Sequence, residues 1–488
     1  MLHLLLLLPA CEPEVPLPDS GSGPVDSGDS GEDSGDTAED IVWTTLPANC
    51  DIPSPLGEDP ITLTQSIPLG TMHALVELLD VELRDGRAYA VGQGGLRIVD
   101  GSSEESTELG STGDRFHRVE AIQAGYVATT HRDRGLSIVD VRDPARPTTV
   151  ASFGKTGWEG MSYVDGLLYV SSRFGGVEVV DVSSPTSPAS VGTSTGLSSP
   201  WELSDAHEGW IYAADQVLGV VPVDLASPRA PVVGTPVALD SAVLHVTVHD
   251  GWLYASAGGG GVVIFDLADP SSPREVARLK TGGSVVMTAV ADGVLHVADH
   301  DALVAYDVSD PTAPVPIGWE LVPEFALGVA VEDGEAWVAD WTKLERWAVH
   351  PDRLSPEVVL SSSRVLFSGG EGTAELTVRN LGGAPLRLTG ATSVEPRLSI
   401  SASAEVLAPG ESALLRLQLA PGPEVETRLC LATDDADGPL QTIEIGTGDH
   451  RYLGTPAPDF VLPGLDGQSY RLSEQLGHPV MLAYFATW

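Results

Sequence analysis

An apolar strand that closes on an aspartate and is followed by two prolines recurs along this chain of 488 residues. Its clearest copy is residues 261–267, Gly-Val-Val-Ile-Phe-Asp-Leu, with Pro270 and Pro273 behind it. One further step of 41 residues from the last closing aspartate reaches Ala348, where the strand persists without the aspartate. A fixed period of this size predicts seven copies of one structural unit. The closing aspartates are 40, 41, 43, 42 and 41 residues apart: Asp100, Asp140, Asp181, Asp224, Asp266 and Asp307.

Each unit has room for four short strands. In the fifth unit the strands are predicted at 243–249, 252–256, 261–267 and 275–279, with a hairpin turn at Asp250-Gly251. Units of four strands at this spacing are typical of β-propeller blades. Residues 61–67 are expected to pair with the seventh unit and to close the ring. The sequence therefore predicts an all-β chain whose residues 59–352 form a seven-bladed β-propeller.

The repeated phrase resembles a known family. The segments LSIVDV at 136–141 and VEVVDV at 177–182 are similar to the LVIVD repeats of bacterial extracytoplasmic proteins, and the similarity extends over residues 70–350. The resemblance implies a propeller and no particular chemistry. The six closing aspartates are expected to cap their own turns through side-chain-to-backbone hydrogen bonds, because catalysis rarely needs six equivalent groups.

The N-terminal part of the chain predicts an anchor and a tether. Residues 1–11 are an apolar run ending in Leu8-Pro9-Ala10-Cys11, which resembles a lipoprotein signal peptide. The resemblance implies that the Cys11 thiol is acylated and that the protein is extracytoplasmic and membrane-anchored, in the periplasm or at the outer membrane or cell surface. Residues 12–58 are rich in Asp, Ser and Gly with few large apolar side chains, so we expect a disordered acidic tether.

The charge of the chain excludes one class of partner. A formal net charge of −43 leaves no basic surface that could neutralise a phosphate backbone, so nucleic acid is not an expected ligand. The acidity is explained either by solubility outside the cell or by contact with divalent cations. We expect a monomer.

Residues 355–448 predict a second β domain. Seven short strands between residues 358 and 445, separated by Gly, Pro and Asp turns, are typical of an immunoglobulin-like β-sandwich. The segments ELTVRNLGGAPL at 375–386 and LAPGE at 407–411 resemble those of the ASPM/SPD-2/Hydin type of sandwich. That resemblance implies a spacer or adhesion module.

The last stretch, residues 452–488, changes character. GTPAPDF at 454–460, LDG at 465–467 and a final strand ending in Ala486-Thr487-Trp488 resemble the start of a redoxin, the thioredoxin-like family that includes the AhpC/TSA peroxiredoxins. The resemblance implies a truncated thioredoxin-like α/β segment whose reactive cysteine, often in Cys-x-x-Cys, follows directly after Trp488. The chain is therefore expected to be a fragment of a longer protein.

The chain contains three cysteines, Cys11, Cys50 and Cys430. With Cys11 acylated, Cys50 and Cys430 could pair, stay separate, or include a buried free thiol. No group of Cys and His has the spacing of a zinc site. We expect no metal, no cofactor and no catalytic residue within these 488 residues.

Two functions remain open from the sequence. The first is a binding scaffold for an unknown protein, peptide or polysaccharide, and the alternative is an anchored thiol-disulfide oxidoreductase or peroxiredoxin-like enzyme whose catalytic cysteines lie beyond Trp488. Whether the protein is an enzyme is thus undecided. Ligands of propellers usually gather where the turns between second and third strands meet the central channel. The candidate binding residues there are His117, His131, Asp215, Asp299, His300, Asp340 and Trp341.

Overall fold

The computed structural model describes residues 41–42, 59–69, 77–103, 105–123, 125–367, 371–435, 438–447, 461–463 and 469–471. These residues form strands and turns and contain no helix. None of them therefore provides a helix with the length and apolar character needed to cross a bilayer. The predicted signal peptide at 1–11 and nearly all of the predicted tether at 12–58 lie outside the described residues. Residues 41–42 of the predicted tether form a strand, so the prediction of disorder is wrong there, because their backbone is paired with another strand.

Two strands, β1 (Ile41–Val42) and β2 (Ile61–Pro68), precede the repeated part of the chain. The strands of the repeated part are, in chain order, β3 (Leu78–Arg84), β4 (Arg87–Gly92), β5 (Gly95–Asp100), β6 (Glu108–Ser111), β7 (Val119–Gln123), β8 (Tyr126–His131), β9 (Gly135–Asp140), β10 (Thr148–Phe153), β11 (Trp158–Val164), β12 (Leu167–Ser172), β13 (Gly176–Asp181), β14 (Ala189–Thr195), β15 (Pro200–Leu203), β16 (Trp210–Asp215), β17 (Gly219–Asp224), β18 (Val232–Val233), β19 (His245–His249), β20 (Trp252–Ser256), β21 (Val262–Asp266), β22 (Arg274–Leu279), β23 (Met287–Ala291), β24 (Val294–Ala298), β25 (His300–Asp307), β26 (Val315–Glu332), β27 (Glu335–Asp340) and β28 (Lys343–Val349).

These strands form seven four-stranded antiparallel blades among the described residues. Blades 1 to 5 are β3–β6, β7–β10, β11–β14, β15–β18 and β19–β22. Blade 6 is β23–β25 with the first part of β26, and the second part of β26 opens blade 7 with β27 and β28. The first strand of every blade lines one central cavity, so the blades surround a channel. The chain is a β-propeller.

The ring is closed by β2, as the sequence predicts. This strand pairs with β28 in antiparallel register from Ile61↔Val349 to Pro68↔Lys343 and supplies the outer strand of blade 7. Ile61 packs into the core of blades 6 and 7, and Ile67 packs into the core between blades 7 and 1. The N-terminal strand therefore completes blade 7 to four strands and joins the last blade to the first.

The repeated turns have the predicted chemistry. Asp250 and Gly251 both have positive φ, +47° and +78°, as a type I′ hairpin turn requires, and the Asp-Gly pairs of blades 1, 3, 6 and 7 repeat this. Each of the six closing aspartates accepts a hydrogen bond from the backbone N–H two residues on, which confirms the predicted capping role. Local turn geometry thus explains why an aspartate recurs at the end of each of these third strands.

Aromatic residues of the second strands link neighbouring blades. The hydroxyl of Tyr169 in blade 3 donates to the carbonyl oxygen of Pro228 in blade 4 at 3.0 Å. The hydroxyl of Tyr212 in blade 4 donates to the carbonyl oxygen of Pro270 in blade 5 at the same distance. The proline turn that follows a closing aspartate is therefore a docking point for the tyrosine of the preceding blade.

The described residues after the propeller form two further sheets around one apolar core. The strands are β29 (Val358–Leu360), β30 (Arg364–Phe367), β31 (Gly372–Asn380), β32 (Leu386–Ser393), β33 (Leu398–Ala402), β34 (Val406–Leu407), β35 (Ser412–Leu419), β36 (Glu426–Thr433) and β37 (Leu440–Thr447). One sheet has the strand order β1-β33-β35-β31-β29 and the other β30-β37-β36-β32-β34. The seven predicted strands are present, and the strands β33 and β34 were not predicted.

The two-sheet domain contacts the propeller at blades 5 and 6. Leu381 and Val359 belong to the same apolar cluster as Trp252 of β20. Arg379 Nη1 donates to the carbonyl oxygen of Lys280 at 2.7 Å. Cys430 of β36 is buried and disulfide-bonded, so the free-thiol alternative for this residue is wrong.

Two last strands, β38 (Val461–Pro463) and β39 (Ser469–Arg471), pair in antiparallel register. The rest of the predicted thioredoxin-like segment at 452–488 lies outside the described residues.

Candidate functional site

The channel wall is held together by carboxylates. The first strand of each blade pairs only with the second strand, so the N–H groups of its inner edge need other acceptors. Asp80 Oδ2 and Glu82 Oε2 of blade 1 accept from the N–H groups of Val119 and Ala121 in blade 2, at 3.0 and 2.5 Å. Glu120 of blade 2 accepts in the same way from Tyr163 of blade 3. The acidic side chains thus replace strand pairing between blades.

Blades 3 and 4 are joined by a more elaborate version of the same contact. Glu202 Oε1 accepts from the N–H groups of Met161 and Leu203, and its Oε2 lies 2.7 Å from Arg118 Nε. A Cβ on Gly160 would lie 1.7 Å from Glu202 Oε1, so only glycine leaves room for the carboxylate at this position. The channel wall therefore depends on a glycine and a glutamate from different blades.

Burial shifts the titration of these carboxyl groups. It raises the pKa of Glu82 to about 8, and the neighbouring carboxyl groups of Asp80 and Asp205 add to the rise. Burial also raises the pKa of Glu120, with Glu82 as a further cause. The pKa of Glu202 is raised to about 7 by burial despite its contact with Arg118. These groups therefore carry protons at pH values where exposed carboxyl groups do not.

The acidic channel does not bring its carboxylates together as a metal site. No group of three or more Asp, Glu, His or Cys side chains in the described part of the chain is arranged to hold a metal ion. The hydrogen bonds above account for this, because each carboxylate is turned toward the backbone of a neighbouring strand.

One end of the channel carries the turns between second and third strands, and we call it the turn face. Strands alternate in direction within a blade, so these turns and the connections into first strands lie at the same end. The seven candidate residues lie in these turns or in these connections. They separate into four kinds of environment.

Asp215, Asp299 and Asp340 anchor loops. Asp215 is fully buried and accepts from the N–H groups of residues 198 and 199 with Oδ2 and from those of 217 and 218 with Oδ1. Asp340 Oδ1 accepts from Glu324 and Phe325, and Asp299 Oδ2 accepts from the N–H of Gly283 at 3.0 Å. Burial raises the pKa of Asp299 to about 6. The structure gives these three carboxylates a backbone-binding role.

The ring of Phe325 lies between those of His300 and Trp341 and contacts both. Phe325 was not among the residues predicted from the sequence. The ring centroid of Phe325 is 4.8 Å from that of His300 and 5.7 Å from that of Trp341. Both turn residues have left-handed backbone angles, with φ of +55° and +46°. Such an angle is tolerated by histidine but is unfavourable for a side chain as bulky as that of Trp341. We call His300, Phe325 and Trp341 the aromatic cluster.

The second cluster lies across blades 2 to 4. His117 Nδ1 is 2.6 Å from Glu159 Oε2, and His117 Nε2 is 2.8 Å from Arg132 Nη2. Arg173 pairs through Nε with the other oxygen of Glu159. The guanidinium carbons of Arg132 and Arg173 lie 5.4 and 4.7 Å from the ring centroid of Trp201. We call these five residues the basic–aromatic cluster.

The protonation of this cluster follows from its contacts. An arginine N–H can only donate, so His117 Nε2 accepts and the imidazole proton is on Nδ1, facing Glu159. Burial lowers the pKa of His117 to about 4, although Glu159 opposes the shift. Burial alone would raise the pKa of Glu159, but the contacts with His117 and the two arginines hold it below its ordinary value. His117 is therefore neutral and Glu159 ionised at neutral pH.

His131, the remaining candidate, lies at the end of β8 in blade 2. It is buried, its Nε2 is 2.9 Å from Ser137 Oγ, and its ring meets that of Phe116 edge-on at 4.8 Å. Burial lowers its pKa.

The sequence signal for the missed residues was present but ambiguous. Asp80, Glu82 and Arg84 alternate with apolar residues in a strand, which is also the pattern of an ordinary solvent-facing strand. Glu159 and Glu202 stand alone in apolar surroundings. Nothing local distinguishes a carboxylate that binds the next blade from one that faces water.

Part of the propeller is similar in sequence to a known repeat family. Four segments, 122–154, 164–195, 242–281 and 282–318, match the family described as LVIVD repeat. The chain carries LVIVD repeats. These segments lie in blades 2, 3, 5 and 6, and the predicted resemblance is confirmed there. They do not extend into 355–448 or 452–488, so the resemblances to an ASPM/SPD-2/Hydin-type sandwich and to a redoxin stay predictions.

The search of curated proteins finds no match. Among solved structures, a crystal structure of the mitotic checkpoint complex matches with a TM-score of 0.50 and 15% identity, over 63% of this chain and 99% of that chain. The WD40 β-propeller domain of Doa1 matches with a TM-score of 0.46 and 13% identity, over 59% and 96%. The virginiamycin B lyase of Staphylococcus aureus matches with a TM-score of 0.46 and 9% identity, over 59% and 99%. At 15% identity, the similarity to the mitotic checkpoint complex concerns the fold alone.

Proposed function

We propose that the protein is a lipid-anchored extracytoplasmic scaffold that binds a partner through the turn face of its propeller. Acylated Cys11 is the anchor, residues 12–40, which precede β1, are the tether, and the domain at 355–448 is an immunoglobulin-like spacer. The disulfide of Cys430 supports an extracytoplasmic location, because disulfides persist in oxidising compartments. With Cys11 acylated, Cys50 is the partner that we assign to Cys430.

The aromatic cluster is the observation that carries this proposal. His300 and Trp341 are half-buried and keep left-handed backbone angles, and Phe325 is 39% exposed between them. Strained residues of this kind persist where function requires the side chain at that place. Exposed aromatic rings offer flat apolar area to a peptide, a protein or a sugar ring.

Replacing Trp341 with glycine separates binding from folding. Glycine accepts positive φ without a steric penalty, so Trp341→Gly removes the ring while relieving the backbone. We expect the thermal midpoint to stay within about 2 °C of wild type or to rise. Binding of the full chain to glycan and peptide arrays should fall at least tenfold for the ligands that wild type retains.

The control is Val217→Gly, which removes an exposed apolar side chain from the equivalent turn of blade 4. It should leave array binding unchanged. Equal binding by wild type and Trp341→Gly would place recognition elsewhere on the molecule and overturn the role of the turn face.

The anchor is tested separately. Radioactive palmitate should label the full chain in a bacterial host, and the chain should sediment with membranes. Cys11→Ser should abolish both the label and the sedimentation, whereas Cys50→Ser should abolish neither. A soluble, unlabelled wild-type chain would contradict the anchor without affecting the binding face.

A second candidate function is an anchored thiol enzyme. The observation that favours it is the antiparallel pair β38–β39, which lies within the stretch that resembles the start of a redoxin. The test is to read the gene beyond the codon for Trp488 and to assay the encoded chain for disulfide reduction. A Cys-x-x-Cys directly after Trp488 and thiol-dependent turnover would support the enzyme, and a stop codon there would remove it.

A further inference from the structure

We infer that the basic–aromatic cluster is a binding site for a monoanionic carboxylate attached to an apolar group. The inference rests on the proposed function and deepens it. The site lies on the turn face, and a carboxylate with an apolar group is the chemistry that this face would recognise. It stands on the geometry, the charge and the exposed surroundings of the five residues defined above.

The two arginines are fixed relative to each other by the backbone of Gly157. The N–H of Gly157 donates to the carbonyl oxygen of Arg132, and the N–H of Arg173 donates to the carbonyl oxygen of Gly157, both at 2.9 Å. The side chains are then oriented by His117, Glu159 and Trp201. A site whose groups are already in place loses little conformational entropy when a ligand binds.

Each guanidinium keeps donors for a ligand. A guanidinium has five N–H donors, and Arg173 uses its Nε for Glu159 while Arg132 uses one Nη2 hydrogen for His117. The side chain of Arg173 is 40% exposed, and Arg132 is also exposed. The planar forks that remain match the two oxygens of a carboxylate.

Charge favours a monoanion. Arg132 and Arg173 contribute two positive charges, Glu159 contributes one negative charge and His117 is neutral, so the cluster carries +1. Nearby Arg118 pairs with Glu202, and protonation of Glu202, whose pKa burial raises to about 7, keeps the local balance positive. The rest of the chain is strongly acidic, with a formal net charge of −43 for the whole sequence. A dianion would be repelled by that field more strongly than a carboxylate.

Phe174 indicates the apolar part of the ligand. It follows Arg173 directly in the turn and its side chain is 80% exposed, the largest value among the exposed apolar residues described. A Cβ on Gly157 would lie 2.6 Å from the Phe174 ring, so the ring covers the backbone that joins the two arginines. A ligand whose carboxylate reaches the guanidinium groups would therefore have apolar surface beside it.

The experiment titrates the full chain with 3-phenylpropionate, acetate and phosphate at constant ionic strength and pH 7, and follows binding by calorimetry. We expect saturable binding of 3-phenylpropionate, at least fivefold weaker binding of acetate, and no saturation by phosphate. Arg173→Gln should weaken 3-phenylpropionate at least tenfold. Arg173→Lys, which keeps the charge and loses the fork, should also weaken it. Phe174→Ser should weaken 3-phenylpropionate and leave acetate unchanged.

The matched control is Arg146→Gln, which removes an arginine that is 84% exposed in a turn at the opposite face. It should bind 3-phenylpropionate as wild type does. Absence of saturation, equal affinity in Arg173→Gln, or tighter binding of phosphate would each overturn the inference. Membrane sedimentation and the effect of Trp341→Gly are measured independently. A failure of the carboxylate titration would therefore overturn this inference without overturning the proposed scaffold function.

Discussion

The side chain of Glu82 makes the folding stability of the propeller depend on pH. Its Oε2 accepts the N–H of Ala121, and it faces Asp80, Glu120, Asp205 and the guanidinium of Arg84. Its folded pKa of about 8 lies above the ordinary value of 4.5. The folded state therefore binds this proton more tightly than the unfolded state does. The stabilising contribution is complete below pH 4.5 and is lost as the pH rises through 8.

Glu82→Gln should remove this dependence, because the amide oxygen can still accept the Ala121 N–H while no charge develops. We expect the variant to exceed wild type in unfolding free energy by about 4–5 kcal/mol at pH 9, as the shift of the pKa from 4.5 to about 8 implies, and to equal it at pH 4. Urea unfolding at several pH values measures the difference. Glu275→Gln, at an exposed position, is the control. Parallel pH profiles for wild type and Glu82→Gln would contradict the prediction.

The carboxylate of Asp215 satisfies four backbone N–H groups around one turn and one connection of blade 4. Asp215→Ala leaves these donors without an acceptor in a buried place and should cost about 2–4 kcal/mol of unfolding free energy. Asp215→Asn keeps one acceptor oxygen and should cost less. Asp133→Ala, at a side chain that is 79% exposed, should cost less than about 0.5 kcal/mol. Equal denaturant midpoints for the Asp215 and Asp133 variants would be inconsistent with the anchoring role.

At the scale of elements, β2 closes the ring by packing as well as by pairing. Ile67 is buried in the core between blades 7 and 1, whereas Leu63 of the same strand is 43% exposed. Ile67→Asp buries a charge without a partner and should cost about 3 kcal/mol or more. Leu63→Asp makes the same chemical change on the solvent side and should cost under about 1 kcal/mol.

Amide exchange reports where the ring opens. In Ile67→Asp the amides of β28, which pair with β2, should exchange faster than those of β12 in blade 3. Uniform acceleration in all blades would mean that the ring unfolds as one unit and that β2 is not a separate closing element.

At the scale of the whole molecule, residues from before and after the propeller meet in one domain. Strand β1 precedes the propeller and pairs with β33 of the two-sheet domain that follows it. The Cys50–Cys430 disulfide that we propose would join the same two regions covalently. Non-reducing digestion should yield a peptide that contains Cys50 and Cys430, and reduction should separate it. A peptide linking Cys11 to Cys430 would contradict both the pairing and the acylation of Cys11.

The sequence by itself determined the propeller. Asp-Gly turns, closing aspartates and alternating strands act within a few residues of one another, so their period of about 41 residues can be read directly and predicts the blades and the closing role of residues 61–67. The same locality explains why the strands of residues 358–445 were predicted nearly at their observed bounds.

Only the tertiary structure decided what the polar residues do. Glu82 binds the backbone of the next blade, and Asp215 anchors loops. Arg132 and Arg173 both lie over the ring of Trp201, although the three residues come from three different blades. Residues about 40 positions apart become neighbours only when the blades curve around a common axis. Chain spacing carries no record of that curvature, so a carboxylate or an arginine in one blade does not indicate which group of the next blade it will contact.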